Sequence, residues 1–326
     1  MQSPKIVLLG GGTGSFTLLQ GIKRLTTDIT AIVNMSDDGG STGMLRDELG
    51  VLPPGDIRQC LVALSDKKEA RDLFSYRFST GSFRGQSLGN MILSGLELQY
   101  GDLEKAITVA GSLLDITGRV VPVTLQKHRL VLRDGWKTVR GQGRISNYSI
   151  KKPSGLKLWL EPAAVINPQA TAAIMAADMV VIAPGNFYGS LVPLCLVDGV
   201  ADALQRTAAP VVSITNLVNK PGQSPDWHVA DYVQHQEKYL GKGAIDIVLY
   251  NTQHISDELL GRYAQEGEFP VRTDPARFAE LPARAVGVPL VAKELAVQDP
   301  ADHMIRRTLI RHDPEAVVEE LRKLLG

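Results

Sequence analysis

Two short segments near the N-terminus have residue types and spacing that could bind charged groups. The first consists of Gly11, Gly12, Thr13, Gly14 and Ser15, which follow a short apolar run and precede a helical pattern. Glycines let a backbone approach a phosphate closely, and N–H groups at a helix N-terminus bind its charge. No lysine follows at the position that a P-loop requires. The segment therefore predicts anion binding, with a tight strand-to-helix turn as the structural alternative.

The second segment follows the next apolar run and carries Asn34, Asp37 and Asp38. Two adjacent carboxylates in a glycine-rich loop suit a divalent cation such as Mg²⁺, which prefers oxygen ligands. A solvated loop whose acids bond their own backbone is the alternative. Asp56, with Gln59 three residues later, has the spacing of a helix-capping box, and one carboxylate can both cap a helix and face a metal.

The same two segments argue against a nicotinamide cofactor. A sheet that binds NAD carries an acid at the end of its second strand to hold the ribose, and this chain has Asn34 at that position. Ser15 also stands where the dinucleotide-binding pattern has its third glycine. No NAD is therefore expected, and an NAD-dependent oxidoreductase is disfavoured.

Polar residues also stand beside apolar runs later in the chain. Asn90 precedes a helical run, Gly185, Asn186 and Tyr188 follow a predicted buried strand, and Asn216 follows the next strand. Doubly wound sheets bind their ligands at the carboxyl ends of the strands. The residues after the two strands are therefore expected at the same edge as the glycine segment.

The elements that must position these residues follow from hydrophobic periodicity. A strand at 5–9, a helix at 16–25 and a strand at 29–33 form one right-handed βαβ unit. Further strands are predicted at 178–183, 211–215 and 245–250, and further helices at 71–78, 88–98, 103–114 and 315–325. Residues 266–300 are proline-rich and only weakly periodic.

Between residues 119 and 160 the apolar period changes to two, and Asp134-Gly135 predicts a hairpin with a type I′ turn. We interpret this segment as a small β insertion. The predicted fold is α/β, Rossmann-like and doubly wound, with a mostly parallel sheet in a single large domain over 1–326.

Composition limits the classes of protein that remain. The 326 residues include 35 basic and 35 acidic side chains and are 44% hydrophobic, which predicts a folded core and disfavours a broad nucleic-acid surface. The uncharged stretch 179–197 contains prolines and glycines, so it predicts strand, turn and helix instead of a membrane span. Cys60 and Cys195 lie in apolar runs and are predicted to be buried free thiols. We expect a soluble, cytoplasmic protein.

Three blocks in order, 10–14, 34–46 and 53–64, resemble one known family. It joins the 2-phospho-L-lactate transferases of deazaflavin-coenzyme synthesis (CofD-like) to the bacterial gluconeogenesis factors (YvcK-like). The resemblance continues through 87–90, 184–190 and 311–313, so it spans most of the chain. The run Asp-Asp-Gly-Gly-Ser at 37–41 and Pro-Pro-Gly-Asp-Ile-Arg at 53–58 resemble the gluconeogenesis-factor branch.

That branch implies a regulator of carbon metabolism, cell-wall precursor supply and cell shape that binds UDP-sugars such as UDP-N-acetylglucosamine. The resemblance implies that residues 11–15 contact the diphosphate, that Asn34 lies near the ribose, and that Asp38 and Asp56 hold the cation. The remaining ligand-binding candidates, which would border these groups or the base and sugar, are Asp37, Asn90, Gly185, Asn186, Tyr188 and Asn216. A homo-oligomer and an unidentified regulatory protein partner are both compatible with this function.

The other branch of the family supplies the alternative. It implies an enzyme that moves a phosphodiester-linked group from a nucleotide-activated donor to a hydroxyl, and an aromatic acceptor pocket near 83–92 would support it. One position departs from the family pattern, because Gln86 stands where a histidine is expected before Ser-Leu-Gly-Asn. Any histidine-dependent chemistry at that position is therefore in doubt.

Overall fold

The computed structural model describes residues 3–150, 155–294 and 309–326. The strands of this part of the chain are β1 (Ile6–Gly10), β2 (Ile29–Val33), β3 (Arg119–Pro122), β4 (Arg129–Asp134), β5 (Lys137–Arg140), β6 (Lys157–Glu161), β7 (Met179–Ile182), β8 (Val211–Ile214), β9 (Val218–Asn219), β10 (Ile247–Asn251), β11 (Phe269–Pro270) and β12 (Arg284–Val288). Its helices are α1 (Gly12–Ile22), α2 (Gly40–Leu49), α3 (Pro54–Leu64), α4 (Lys68–Ser75), α5 (Leu88–Tyr100), α6 (Leu103–Leu114), α7 (Gln142–Ser146), α8 (Pro168–Met175), a π-helical turn (Phe187–Leu191), α9 (Val192–Cys195), α10 (Val200–Arg206), α11 (Val229–Leu240), α12 (Asp257–Ala264), α13 (Pro275–Phe278) and α14 (Pro314–Leu325).

A seven-stranded parallel sheet forms the centre of the molecule, with the strand order β12-β10-β8-β7-β1-β2-β3. Strand β1 is buried along its whole length, as its continuous apolar run predicts for a parallel strand covered on both faces. It pairs with β2 on one side and with β7 on the other. The order of the strands therefore reverses between β1 and β7, and the predicted Rossmann-like fold is confirmed.

The β insertion is present, but it is smaller than the sequence predicts. Strands β5, β4 and β6 form a separate antiparallel sheet in that order. Residues 119–122, predicted as part of the insertion, are β3, which pairs in parallel with β2 and so belongs to the central sheet. The hairpin turn is centred on Gly135 and Trp136, one residue later than predicted, with Gly135 at φ +61°. Strand β3 has only four residues, Arg-Val-Val-Pro, which are too few to show an apolar period, so the sequence could not locate this boundary.

Other boundaries moved by a few residues, and strands β9, β11 and β12 were not predicted. Helix α1 begins at Gly12, four residues before the predicted start, because glycines carry no apolar pattern. Strand β12 lies in the tail that was predicted to be irregular, and it forms the edge of the central sheet beside β10. Residues 295–300 of that tail lie outside the described residues. Helix α14 confirms the prediction at 315–325, with Asp313 capping its first turn.

Helices pack on the central sheet and bury the two predicted free thiols to different extents. Cys60 is buried and Cys195 is partly buried, and both are unpaired. Helix α1 packs against α3 and α14.

The stretch 179–197 forms β7, a turn, the π-helical turn and α9, as predicted. Within the described residues, no helix has the length and apolar character that crossing a membrane requires.

Candidate functional site

The turn between β1 and α1 lies at the point where the strand order reverses. Gly11 is the N-cap of α1 and has no side chain to occupy the first-turn amides, and Gly12 adopts φ +64°. A Cβ atom at Gly12 would meet only Asp56 Oδ1, at 3.8 Å, so the space above this residue is open. At Gly14, in contrast, a Cβ would lie 1.9 Å from the carbonyl oxygen of Pro184. Gly14 is therefore required for packing against the loop after β7, whereas Gly12 leaves room for a ligand.

Asp56 lies against this turn. Its Oδ1 accepts a hydrogen bond of 2.9 Å from the Gly12 N–H, which places a carboxylate at the positive end of the α1 dipole. The predicted capping box is wrong, because α3 begins at Pro54 with Pro53 as its N-cap. Proline at the first helical position has the φ that a helix needs. Helix α3 therefore starts three residues earlier than the capping box predicts, and the Asp56 side chain contacts the neighbouring turn instead of capping its own helix.

Two buried polar atoms beside the turn have no hydrogen-bond partner among the described residues. They are Oγ of Ser15 and Nδ2 of Asn34. The other amide atom of Asn34, Oδ1, accepts a bond of 3.2 Å from the Ser36 N–H, which fixes the orientation of the side chain. Cβ of Asn34 lies 3.4 Å from the position that a Cβ of Gly11 would take. Buried polar groups nearly always have a partner, so these atoms indicate where a ligand or ordered water completes the structure.

The adjacent acids of the next loop have separate surroundings. Asp37 accepts a bond of 3.1 Å from the Gly39 N–H, and burial raises the pKa of its carboxyl, although bonds from Gly39 and Thr42 oppose this. Asp38 accepts from the N–H groups of Gln142 (3.1 Å) and Gly143 (2.7 Å) at the start of α7. Asp38 thus holds the β insertion against the site loop. No group of three or more Asp, Glu, His or Cys side chains arranged for a metal occurs in the described ranges.

Further bonds tie the β insertion to the same loop. Ser36 Oγ lies 2.8 Å from Nε2 of the buried His128, and Nδ1 of His128 lies 2.9 Å from the Gln126 carbonyl oxygen. Because a carbonyl only accepts, Nδ1 carries the proton and Nε2 accepts from the Ser36 hydroxyl. Burial lowers the pKa of His128, which keeps the ring neutral. Arg46 donates to the carbonyl oxygens of Asp37 and His128. Sequence reasoning missed these contacts, because their partners lie far apart in the chain and have no local pattern.

The candidates on the β7 side of the switch point mainly build the loops. Asn216 forms two hydrogen bonds with the backbone of Gly185: its Oδ1 accepts from the Gly185 N–H at 3.0 Å, and its Nδ2 donates to the Gly185 carbonyl oxygen at 2.9 Å. Asn186 Oδ1 accepts from the Gly189 N–H and caps the π-helical turn. Tyr188 is 2% exposed and packs edge-on against Phe187. The structure places these residues at the predicted edge, where packing and capping already account for their side chains.

Asn90 and Gln86 belong to a buried network between α2, α3 and α5. Asn90 accepts from Nε of Arg58 at 2.9 Å and donates to Ser41 Oγ at 3.3 Å. Gln86 Oε1 accepts from the same Ser41 hydroxyl at 2.7 Å, and its amide lies against the sulfur of Met44. Where the family pattern suggests a histidine, this chain therefore has a glutamine that fixes the start of α2.

Comparison with known proteins decides the family. The family model described as 2-phospho-L-lactate transferase CofD matches residues 6–294, which include the glycine turn, the acidic loop and the β insertion. The chain belongs to this family. Within the CofD family it is 37% identical to the "Putative gluconeogenesis factor" of Thermotoga maritima, over 98% of this chain and 99% of that protein. It is 36% identical to the gluconeogenesis factor of Bacillus subtilis, over 99% of each chain.

A solved structure agrees with this assignment. A crystal structure of a UPF0052-family protein from Bacillus halodurans superposes with a TM-score of 0.88 at 32% identity, covering 99% of each chain. The resemblance drawn from the three N-terminal blocks is therefore confirmed for the CofD family and for its likeness to gluconeogenesis factors. The glycine turn and the loop after β2 follow parallel strands of the sheet, so they lie at the carboxyl ends of these strands, the edge at which doubly wound sheets bind their ligands.

Proposed function

We propose that this CofD-family protein binds a nucleotide-sugar diphosphate at the β1–α1 turn and acts as a metabolic regulator. The observation that carries the proposal is the open space above Gly12, next to the unpartnered Nδ2 of Asn34. Backbone N–H groups at the start of α1 would contact the diphosphate, and the Asn34 amide would donate to the ribose or to a phosphate oxygen. The likeness to gluconeogenesis factors favours a UDP-sugar such as UDP-N-acetylglucosamine, and a role in carbon metabolism, cell-wall precursor supply and cell shape.

The charges around the turn support a cation in the complex. Asp56 already occupies the Gly12 N–H, so a diphosphate at this turn would approach a carboxylate. The arginines that could neutralise it are engaged elsewhere, since Arg46 binds backbone carbonyls and Arg58 binds Asn90 and the Phe74 carbonyl. Asp56 would hold a Mg²⁺ ion, which would supply the positive charge that a diphosphate needs beside this carboxylate. Asp38 fits this role less well, because both of its oxygens accept backbone N–H bonds from α7.

The transferase alternative has one observation in its favour. The ring of Phe78 packs against the rings of Tyr76 and Phe83, with centroid distances of 5.3 and 5.6 Å. Tyr76 and Phe83 are about half exposed. An aromatic acceptor such as a deazaflavin would stack on such a surface. This cluster begins before the predicted acceptor region at 83–92, and it supplies an apolar face instead of a catalytic group.

A thermal-shift panel tests the proposal. We expect UDP-N-acetylglucosamine and UDP-glucose to raise the melting temperature, because a ligand that binds only the folded state stabilises it by mass action. The rise should be larger with Mg²⁺ than with excess EDTA. Stabilisation by GDP or a deazaflavin, without a response to any UDP-sugar, would overturn the regulator and favour the transferase. An equal response in EDTA would remove the cation from the proposal while leaving the nucleotide in place.

A further inference from the structure

The β insertion carries a charge that the rest of the chain balances. We define the β module as β4, β5, β6 and α7, within residues 127–161. This range has nine Lys or Arg residues and two acidic residues, an excess of seven, in a chain with no net charge. Two of the three tryptophans of the protein, Trp136 and Trp159, also lie in it. A basic, aromatic segment on a protein without net charge is typical of a surface that meets an acidic partner.

Register shows that two of these cations face each other. Arg133 on β4 lies directly opposite Lys157 on β6 and opposite Thr138 on β5. Residues opposite each other in an antiparallel pair share one face of the sheet, and like charges in that position are destabilising. All three side chains are exposed. Across the described ranges, neither Arg133 nor Lys157 forms a salt bridge, so folding leaves this repulsion uncompensated.

Two other cations of the sheet, Arg140 and Arg129, form salt bridges. Arg140 binds Glu161 at 3.0 Å, and Arg129 binds Asp47 at 2.6 Å. Among the described residues of the sheet, the cations that form no salt bridge thus lie at its hairpin end; they are Arg133, Lys137 and Lys157. Trp136 stands at the same end, in the β4–β5 turn, and its side chain is 95% exposed. Exposed tryptophan and arginine side chains are the residue types that most often dominate the binding energy of protein interfaces.

We propose that the hairpin end of the β module, formed by Arg133, Lys157, Thr138 and Trp136, docks an acidic segment of a protein partner. Carboxylates from the partner would relieve the repulsion between the two cations, and Trp136 would be covered by an apolar side chain. The row spans three strands, about 10 Å at the usual strand spacing. Such a patch fits a short peptide segment better than a nucleic-acid backbone, which would also meet the carboxylates of Glu161 on β6 and of Asp47 on the adjacent helix α2.

The experiment is photo-crosslinking from the hairpin in the full-length chain. Trp136 is replaced by p-benzoylphenylalanine, the protein is expressed in its source bacterium, and the crosslinked peptide is identified by mass spectrometry. We expect one main protein adduct whose crosslinked segment is acidic. The adduct should be lost in Arg133→Glu and kept in Lys238→Glu, a matched reversal of an exposed cation at the end of α11. A synthetic peptide of the captured segment should bind at least tenfold more weakly to Arg133→Glu.

The same variant separates binding from folding. In Arg133→Glu the new carboxylate faces Lys157, so the melting temperature should stay the same or rise while docking is lost. The proposal is overturned by an adduct that persists in Arg133→Glu, by a nuclease-sensitive or lipid adduct, or by no adduct at all. None of these readouts needs a nucleotide, so the docking face and the nucleotide site can fail independently.

Discussion

The open space above Gly12 gives the most direct test of the nucleotide site. Gly12→Ala adds one methyl group where the structure leaves room for a phosphate, at a residue with φ +64°. Gly101 offers a matched control, since it ends α5 with φ +65° and a Cβ there would meet nothing within 4 Å. An L-residue in this left-handed region costs about 1 kcal/mol. Both variants should therefore lose the same stability, seen as a melting temperature lower by about 2 °C.

Only Gly12→Ala should lose affinity. A methyl group between the backbone and a phosphate would break at least one charge-assisted hydrogen bond, which contributes roughly 1.5–3 kcal/mol. The Kd for a UDP-sugar should therefore rise about 10- to 100-fold, measured by titration calorimetry, while Gly101→Ala binds like the wild type. Gly12→Val should bind more weakly still. Equal affinities for Gly12→Ala and Gly101→Ala would mean that the glycine turn is only a tight connection between β1 and α1.

Two further predictions follow from groups that sequence reasoning left out or placed elsewhere. Asp38→Asn removes the charge of the carboxylate that accepts hydrogen bonds from the N–H groups of Gln142 and Gly143. The amide hydrogens of α7 should therefore exchange faster, and the free energy of unfolding in urea should fall by about 1–3 kcal/mol. Unchanged exchange in α7 would make Asp38 a candidate metal ligand again. Burial lowers the pKa of His312, which binds the Thr215 carbonyl oxygen, to about 4. The unfolded chain therefore takes up this proton first as the pH falls below 6.5, and the stability should drop by about 3 kcal/mol by pH 4. That part of the slope should be absent in His312→Asn.

The sequence predicts the parts of the fold that depend on local pattern. The apolar runs of β1 and β2 and the glycines between them identify the first βαβ unit without any tertiary information. The prediction fails where the local sequence pattern does not show which strand a segment pairs with. Strand β3 has only four residues, lies next to the insertion in the chain and yet pairs with β2. Strand β12 is a short run in a proline-rich tail, and its pairing with β10 makes it a strand.

In the candidate site, too, the features that depend on local sequence are predictable and the long-range contacts are not. Residues within the glycine turn are adjacent in sequence, so their shared position is predictable from the βα order. The contacts of Asp38 with α7 and of Ser36 with His128 join residues about 90 to 105 positions apart, and no local pattern marks them. Asp56 was identified as a functional candidate for a different reason from the one the structure shows. Pro54 sets the start of α3, and this turns the Asp56 carboxylate toward Gly12.

The distribution of polar bonds explains how one site could serve both branches of the family. Asn90, Asn186 and Asn216 use their amides to hold loops, so in the proposed nucleotide site the ligand would be recognised by the backbone of the glycine turn and by Asn34. Backbone N–H groups bind a diphosphate and do not distinguish one nucleotide from another. Selectivity must therefore come from what covers the rest of the ligand. The β module is held directly against the site loop through Asp38 and Ser36, so differences in this module are the place where a regulator and a transferase can diverge while they keep the same phosphate turn.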